Sequence, residues 1–253
     1  MTLRMRATLL VVVAVAMAIG AGSARADEVK VLAANAVKEP LLAIAAAFEK
    51  ATGHKVTASW SGTEGITKRI SGGEVADIVV VGSASLQRLI QDGKLIPDSR
   101  ISFAKVGVGV AVRAGLPKPD ISSAEAVKKA VLDARSVAYS SGPSGQYVAD
   151  LFKRLGIAEQ VKDKLKLPPS NVLVGEVLAR GEADLGFQQI SDLVNLRGID
   201  YLGPLPTEIQ NITLYAAALH TAAPAPEAAR ALMRSFAAPE ATAIITKGGM
   251  EPG

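Results

Sequence analysis

The sequence predicts an α/β protein of two lobes, with mostly parallel sheets and a ligand cleft between them. Three observations predict it. Short apolar runs alternate with longer amphipathic ones along most of the chain. Two stretches are long, one with alternating glycines and one with little turn chemistry, so each can cross from one lobe to the other. Hydroxyl or amide side chains sit where several apolar runs give way to amphipathic ones.

The elements follow in order. Residues 29–33 alternate as a first strand. Residues 39–52 place Leu42, Ala45, Ala46 and Phe48 along one helical face and stop at Gly53. Strand 55–60, a short helix over 64–70, a wholly apolar strand 77–81 and a helix over 85–91 complete a βαβαβα unit. Residues 106–112 form a long strand whose glycines at 107 and 109 allow it to bend. Residues 211–220 form its partner. Between them lie a helix over 123–134, a strand over 136–139, helices over 146–155 and 173–180, and a strand over 184–188. After Pro224-Ala225-Pro226, helices over 227–236 and 239–246 return to the first lobe. Residues 27–105 and 213–253 are thus assigned to lobe 1 and residues 106–212 to lobe 2.

The first 26 residues read as a secretory leader: Arg4 and Arg6, an apolar run over 7–19, and Ala24-Arg25-Ala26 as the cleavage signal. Its removal takes three of the 28 lysines and arginines, against 24 acids, so the mature chain is within one charge of neutral. No basic excess favours nucleic acid. The absence of cysteine excludes disulfides, thiolate metal sites and a cysteine nucleophile. Neither of the two histidines suits a metal pair: His54 lies at the wrong end of the sheet, and His220 ends a strand. Both read as surface or packing residues, and Trp60 reads as core. Ser144 lies outside any Gly-x-Ser-x-Gly elbow, which argues against a serine hydrolase.

In such sheets ligands bind beyond the carboxyl ends of the strands, where free N–H groups at helix starts attract anions without a cationic side chain. The junctions here hold Asn35, Gly62-Thr63, Ser141 to Gly145, a stretch near Asn171 and Val172, and Gln188-Gln189. Asn35, Thr63 and Ser144 are equally ordinary helix caps, so capping and anion holding both remain open for each. Lys68 reads as a solvated helix position that could turn into the cleft.

The stretches "VLAANAVKEPLLAIAAAFEKATGHKV", "SGTEGITKRISGGEVADIVVVGSA", "PSGQYVADLFKRLG" and "GEADLGFQQISD" together resemble the periplasmic molybdate-binding proteins of ABC transporters, of the type II periplasmic binding fold. The resemblance spans nearly the whole mature chain in order. It implies a small anion held by hydroxyls and backbone N–H groups, with Asn35, Thr63 and Ser144 at the first three loops, Asn171 or Val172 at the fourth, and Gln189 at the family's tyrosine. It further implies a periplasmic monomer that needs no cofactor and docks on an inner-membrane permease. Amides in place of a serine and a tyrosine favour a small organic acid over molybdate. Relatives of the family include aconitate isomerase, so an enzyme acting on a tricarboxylate is the alternative. The sequence offers no evident base, which favours the receptor.

Overall fold

The computed structural model describes residues 26–253, and the expected leader lies outside them but for Ala26. The chain forms a mixed α/β fold. Strand β1 (Glu28–Ala34), helix α1 (Lys38–Thr52), β2 (Lys55–Ser61), α2 (Thr63–Ser71), β3 (Ile78–Gly82) and α3 (Ser83–Gln91) make the first unit. Helix α1 ends as its sequence dictates: Gly53 takes φ 78° and returns its N–H to Glu49. The second unit comprises β4 (Ile101–Arg113), α4 (Ala124–Asp133), β5 (Val137–Tyr139), α5 (Pro143–Arg154), α6 (Ala158–Val161) and β6 (Leu165–Lys166). It continues through α7 (Val174–Ala179), β7 (Leu185–Gln189), α8 (Ile190–Leu193) and β8 (Ile199–Pro204). Strand β9 (Ile212–Leu219), α9 (Pro226–Phe236), α10 (Pro239–Lys247) and β10 (Glu251–Pro252) complete the chain.

The strands run in one continuous path, β2-β1-β3-β9-β4-β7-β5-β6, with β8 and β10 also paired to β4. Parallel pairing occupies the two outer ends, β1 with β2 and β3, and β5 with β6 and β7. The middle is antiparallel, because β9 and β4 run back through it. Two apolar clusters cover the faces of the β1–β3 end, one centred on Leu41, Phe103 and Phe236 and one on Ile66, Val79 and Leu86. Two more cover the other end, around Phe152 and Phe187 and around Val174 and Leu178. Such burial is the main favourable term in a chain without cysteine.

The long strand β4 starts five residues earlier than the sequence pattern indicates. Residues from Ile101 to Gly107 pair with β9, and residues from Val108 onward pair with β7 and β8. The changeover falls at Gly107 to Gly109, and here the reason for glycine differs from the expected bend. A Cβ on Gly107 would lie 3.0 Å from Gln210 Nε2, and one on Gly109 2.9 Å from Tyr201 Cε2. Both glycines make room for side chains that cross the strand. Gln210 uses that room: its Oε1 accepts from Val108 N at 2.8 Å and its Nε2 donates to Val108 O at 3.0 Å. One side chain thus stands in for a strand partner where the sheet changes neighbours.

A second polar tie closes the first unit. Asp77 is fully buried and accepts from Lys30 N at 2.7 Å and Ala225 N at 2.6 Å, which fixes β1 to the returning C-terminal segment. His54 and His220 are packing residues. His54 Nδ1 accepts from Asp27 N and its ring stacks on Phe48. His220 Nδ1 accepts from Ala222 N.

Replacing Gln210 by Ala leaves Val108 N without its partner at the crossing, while Val108 O keeps the N–H of Leu205 at 2.9 Å. Urea denaturation should show a loss of about 1–3 kcal/mol, the cost of leaving such a backbone group unsatisfied, whereas Lys68→Ala on the exposed face of α2 should change stability by less than about 0.5 kcal/mol.

Candidate functional site

The strand ends converge on an inner cavity of about 30 Å³. By volume it takes one or two waters, or one small charged head. Asn35 and Ala36 approach it after β1, Gly62 and Thr63 after β2, Ser140 to Ser144 after β5, Ser170 and Val172 ahead of α7, and Gln188 and Gln189 from the end of β7. Tyr215 enters from β9 and Asp192 from α8. Every lining residue except Asp192 is uncharged.

The three candidate caps do not cap. The N-cap of α2 is Gly62 and that of α5 is Gly142, neither with a side-chain bond, and the turn beginning at Asn35 is likewise uncapped. Ser123, by contrast, accepts from Ala126 N at 3.1 Å in the ordinary way at the start of α4. Thr63 Oγ1 instead accepts from Gly82 N at 3.3 Å, which leaves its proton to donate. Ser144 Oγ lies 3.0 Å from Ser140 Oγ. The first-turn N–H groups of α2 and α5 are therefore not taken by their own caps and carry the positive end of each helix.

Helix α5 begins at Pro143, three residues before the apolar pattern starts, because Pro is pre-set for the first helical position. Ser144 and Gly145 accordingly lie in its first turn and not in a loop. Gly145 is not a lining residue. A Cβ there would meet Ser140 O at 1.5 Å, so the glycine is what allows α5 to pack directly against the end of β5.

Other expected contacts are placed differently as well. Lys68 pairs with Glu64 at 2.9 Å and lies outside the inner cavity, on a separate chamber that Thr63, Gly142 and Gln146 also line. Asn171 faces a neighbouring chamber, while Val172 faces the inner cavity. Gln189 lines the cavity, but its amide is occupied. Oriented as its neighbours require, its nitrogen donates to the carbonyls of Gly107 at 3.0 Å and Val106 at 3.3 Å, and its oxygen accepts from Thr213 Oγ1 at 2.8 Å. Gln189 therefore braces the β4 crossing. The phenol at the cavity comes from Tyr215 on another strand.

Ser170 ties the two ends of the sheet together. Gly62 N donates to its carbonyl at 2.5 Å, and its hydroxyl lies 3.4 Å from Ser61 Oγ. Asn35, Ala36 and Asp192 are shared with an outer chamber of about 500 Å³, which Trp60, Asn171, Ser191 and Asn195 also line. Trp60, expected as core, is only partly buried and forms one wall of this chamber.

Asp192 was not expected. Burial pushes its carboxyl up to about 7, against an opposing hydrogen bond from Gln188. Gln188 is itself fixed, since its Oε1 accepts from Val174 N at 2.7 Å. Burial, and after it the charge of Asp192, hold the Tyr215 phenol far above its ordinary value, so it stays a donor. Among the described residues no group of three or more His, Asp or Glu side chains is placed to hold a metal ion.

A family profile described as bacterial extracellular solute-binding protein matches residues 29–251. Aconitate isomerase from a Pseudomonas species is 38% identical over 228 residues, which cover 88% of this chain and 87% of that protein. The molybdate-binding protein ModA of Azotobacter vinelandii is 30% identical over 182 residues, 70% of this chain and 72% of that protein. Among solved structures, the periplasmic molybdate-binding protein of Azotobacter vinelandii superposes with a TM-score of 0.76 at 22% identity, covering 89% of this chain and 99% of that one. The sulfate-binding protein SubI from Mycobacterium tuberculosis H37Rv reaches 0.72 at 18% identity, covering 89% and 87%.

The raised Asp192 carboxyl has a direct consequence for stability. Its folded value lies above the unfolded one, so the stability it contributes is complete below about pH 4 and is lost as pH rises through about 7. Asp192→Asn should therefore unfold at higher urea than wild type at pH 8, by about 1–2 kcal/mol once the water reaching the cavity is allowed for. The difference should close at pH 4. An equal difference at both pH values would show that Asp192 is not strained by ionising.

Proposed function

Because the chain belongs to the family of bacterial extracellular solute-binding proteins, we propose that it is an exported receptor for a small organic anion, which it presents to an ABC-type permease. The observation that carries this reading is the inner cavity itself. Hydroxyls of Thr63, Ser140 and Ser144, the protonated Tyr215 phenol and two helix starts face one small volume with no cation. Neutral donors of this kind suit an anion that must be held and then released.

The choice of an organic acid over a tetrahedral oxyanion rests on two further features. Asn35, Ala36 and Asp192 are common to the cavity and to a chamber more than ten times its volume, which a compact oxyanion leaves unfilled. Asp192 also adds a charge of the wrong sign whenever it is ionised, next to a site that offers a dianion no countercharge. A carboxylate head in the inner cavity, with its carbon skeleton in the chamber beside Trp60, meets both conditions. The similarity to the Pseudomonas aconitate isomerase supports the same ligand class. It also supports a second reading, in which the bound acid is chemically altered, and the placement of Asp192 favours that reading.

Calorimetry with molybdate, tungstate, sulfate, citrate and the two aconitate isomers tests the proposal. An organic acid should bind at least tenfold more tightly than molybdate, about 1.4 kcal/mol, and tightest binding by molybdate would overturn it. Thr63→Ala and Ser144→Ala should each weaken the bound acid by about 1–3 kcal/mol, while Gln189→Ala should act mainly on stability. Export with cleavage after Ala26 is part of the same reading, and the intact mass of the secreted protein checks it.

A further inference from the structure

We propose that Asp192 is a catalytic residue, the group that moves a proton within an unsaturated di- or tricarboxylate bound across the inner cavity and the outer chamber. The inference rests on the organic-acid reading of the site and adds an activity and a residue to it.

Position is the first argument. Asp192 is the one ionisable side chain common to both compartments, and it stands where they join. A ligand with one carboxylate among the inner donors and the rest of its skeleton in the chamber must pass its middle carbons by this carboxyl. Orientation is the second. Gln188, held by Val174 N, donates to Asp192 and steadies the carboxyl at the cavity wall. The surroundings are the third. Tyr215 of β9 faces the same cavity as a neutral donor, and the charged groups of the outer chamber, Lys38, Glu39 and Glu176, are exposed to solvent. Burial raises the carboxyl to about 7, so acid and base forms coexist near neutrality, which suits a group that must take and return a proton. Next to it, the Ser191 hydroxyl is buried without a partner and lines the outer chamber, a free donor for a second carboxylate.

The step balances without a co-reactant. Ionised Asp192 takes a proton from the methylene carbon of a CH2–C=C unit, and the electron pair of the broken C–H bond becomes the new double bond. The pair of the old double bond then takes a proton from the Asp192 carboxyl at the far carbon, the carboxyl having exchanged its proton with water between the two transfers. Between the two transfers the negative charge spreads into the carboxylate of the inner cavity, where Thr63, Ser144 and the first turn of α5 donate to it. The product is a positional or geometric isomer of the substrate.

The test uses cis- and trans-aconitate as probes with the mature chain, followed by proton NMR in heavy water. Wild type should interconvert the isomers and wash deuterium into the methylene position, at a rate that rises with pH through about 7 as Asp192 ionises. Asp192→Asn, which keeps the shape and a partner for Gln188, should bind within about threefold of wild type by calorimetry while losing turnover by about 100-fold or more. Wild-type protein that binds an isomer but exchanges no deuterium would overturn this proposal and leave the receptor reading standing. An Asp192→Asn variant that turns over like wild type would overturn it too. If no tricarboxylate binds wild type at all, the organic-acid reading falls and this proposal with it. The wild-type exchange and its pH profile decide the matter even if the variant folds poorly.

Discussion

Strand β4 has to serve both ends of the sheet, and most of the molecule follows from that constraint. It pairs with β9 and β10 over its first half and with β7 and β8 over its second. A strand cannot change neighbours without leaving backbone groups unpaired at the changeover, and buried unpaired groups are expensive. Here two glutamines fill the gap. Gln210 closes on both polar atoms of Val108, and Gln189 donates to Val106 and Gly107 from the opposite side. Gln210 needs a strand with no side chain in the way, which Gly107 supplies, while Gly109 makes room for Tyr201. The same crossing brings Tyr215, Gln189 and Asp192 beneath the junctions of the outer strands. The site is therefore a by-product of how the sheet is stitched together.

Two kinds of polar chemistry meet at that place. Around most of the inner cavity, hydroxyls and helix starts offer positive ends of dipoles to an anion. At its mouth, Asp192 offers the opposite, a carboxyl that burial makes reluctant to ionise. The two are coupled. In the proposed complex a negative ligand beside Asp192 would favour its protonated form, so binding and proton uptake would assist each other. Receptor and catalyst are close neighbours in such a site. They differ in whether the proton of Asp192 leaves for water or for a carbon atom.

Most of the fold was legible in the sequence, since hydrophobic period and glycine stops placed the long elements, the start of β4 apart, within a few residues. What escaped were the pieces without a period of their own: the four-residue helices α6 and α8, the two-residue strands β6 and β10, and β8, whose Tyr201 and Gly203 do not alternate cleanly with apolar neighbours. The candidate site divides in the same way. Asn35, Thr63, Ser144 and Val172 were readable because they sit at strand-to-helix junctions, and the resemblance placed them in order. Asp192 was missed because it lies on α8, and Tyr215 because it points from the middle of an apolar strand. Ser170 was missed because its contact to Gly62 spans more than a hundred residues. The "QQISD" run that ends β7 held the signal: two amides and an acid directly after an apolar strand. Gln189 shows the reverse case, a correct location whose hydrogen bonds turn out to serve the backbone.

Among the described residues no cation lines the inner cavity, and that bears on where such a protein can work. A site that holds its ligand through ion pairs weakens as salt rises, because mobile ions screen charges separated by about a Debye length, some 8 Å at 0.15 M and 3 Å at 1 M. Dipoles of hydroxyls and N–H groups act only at contact, inside a pocket that mobile ions do not enter. An exported protein meets the ionic strength of whatever bathes the cell. A grip made of neutral donors would lose less to rising salt than one made of ion pairs.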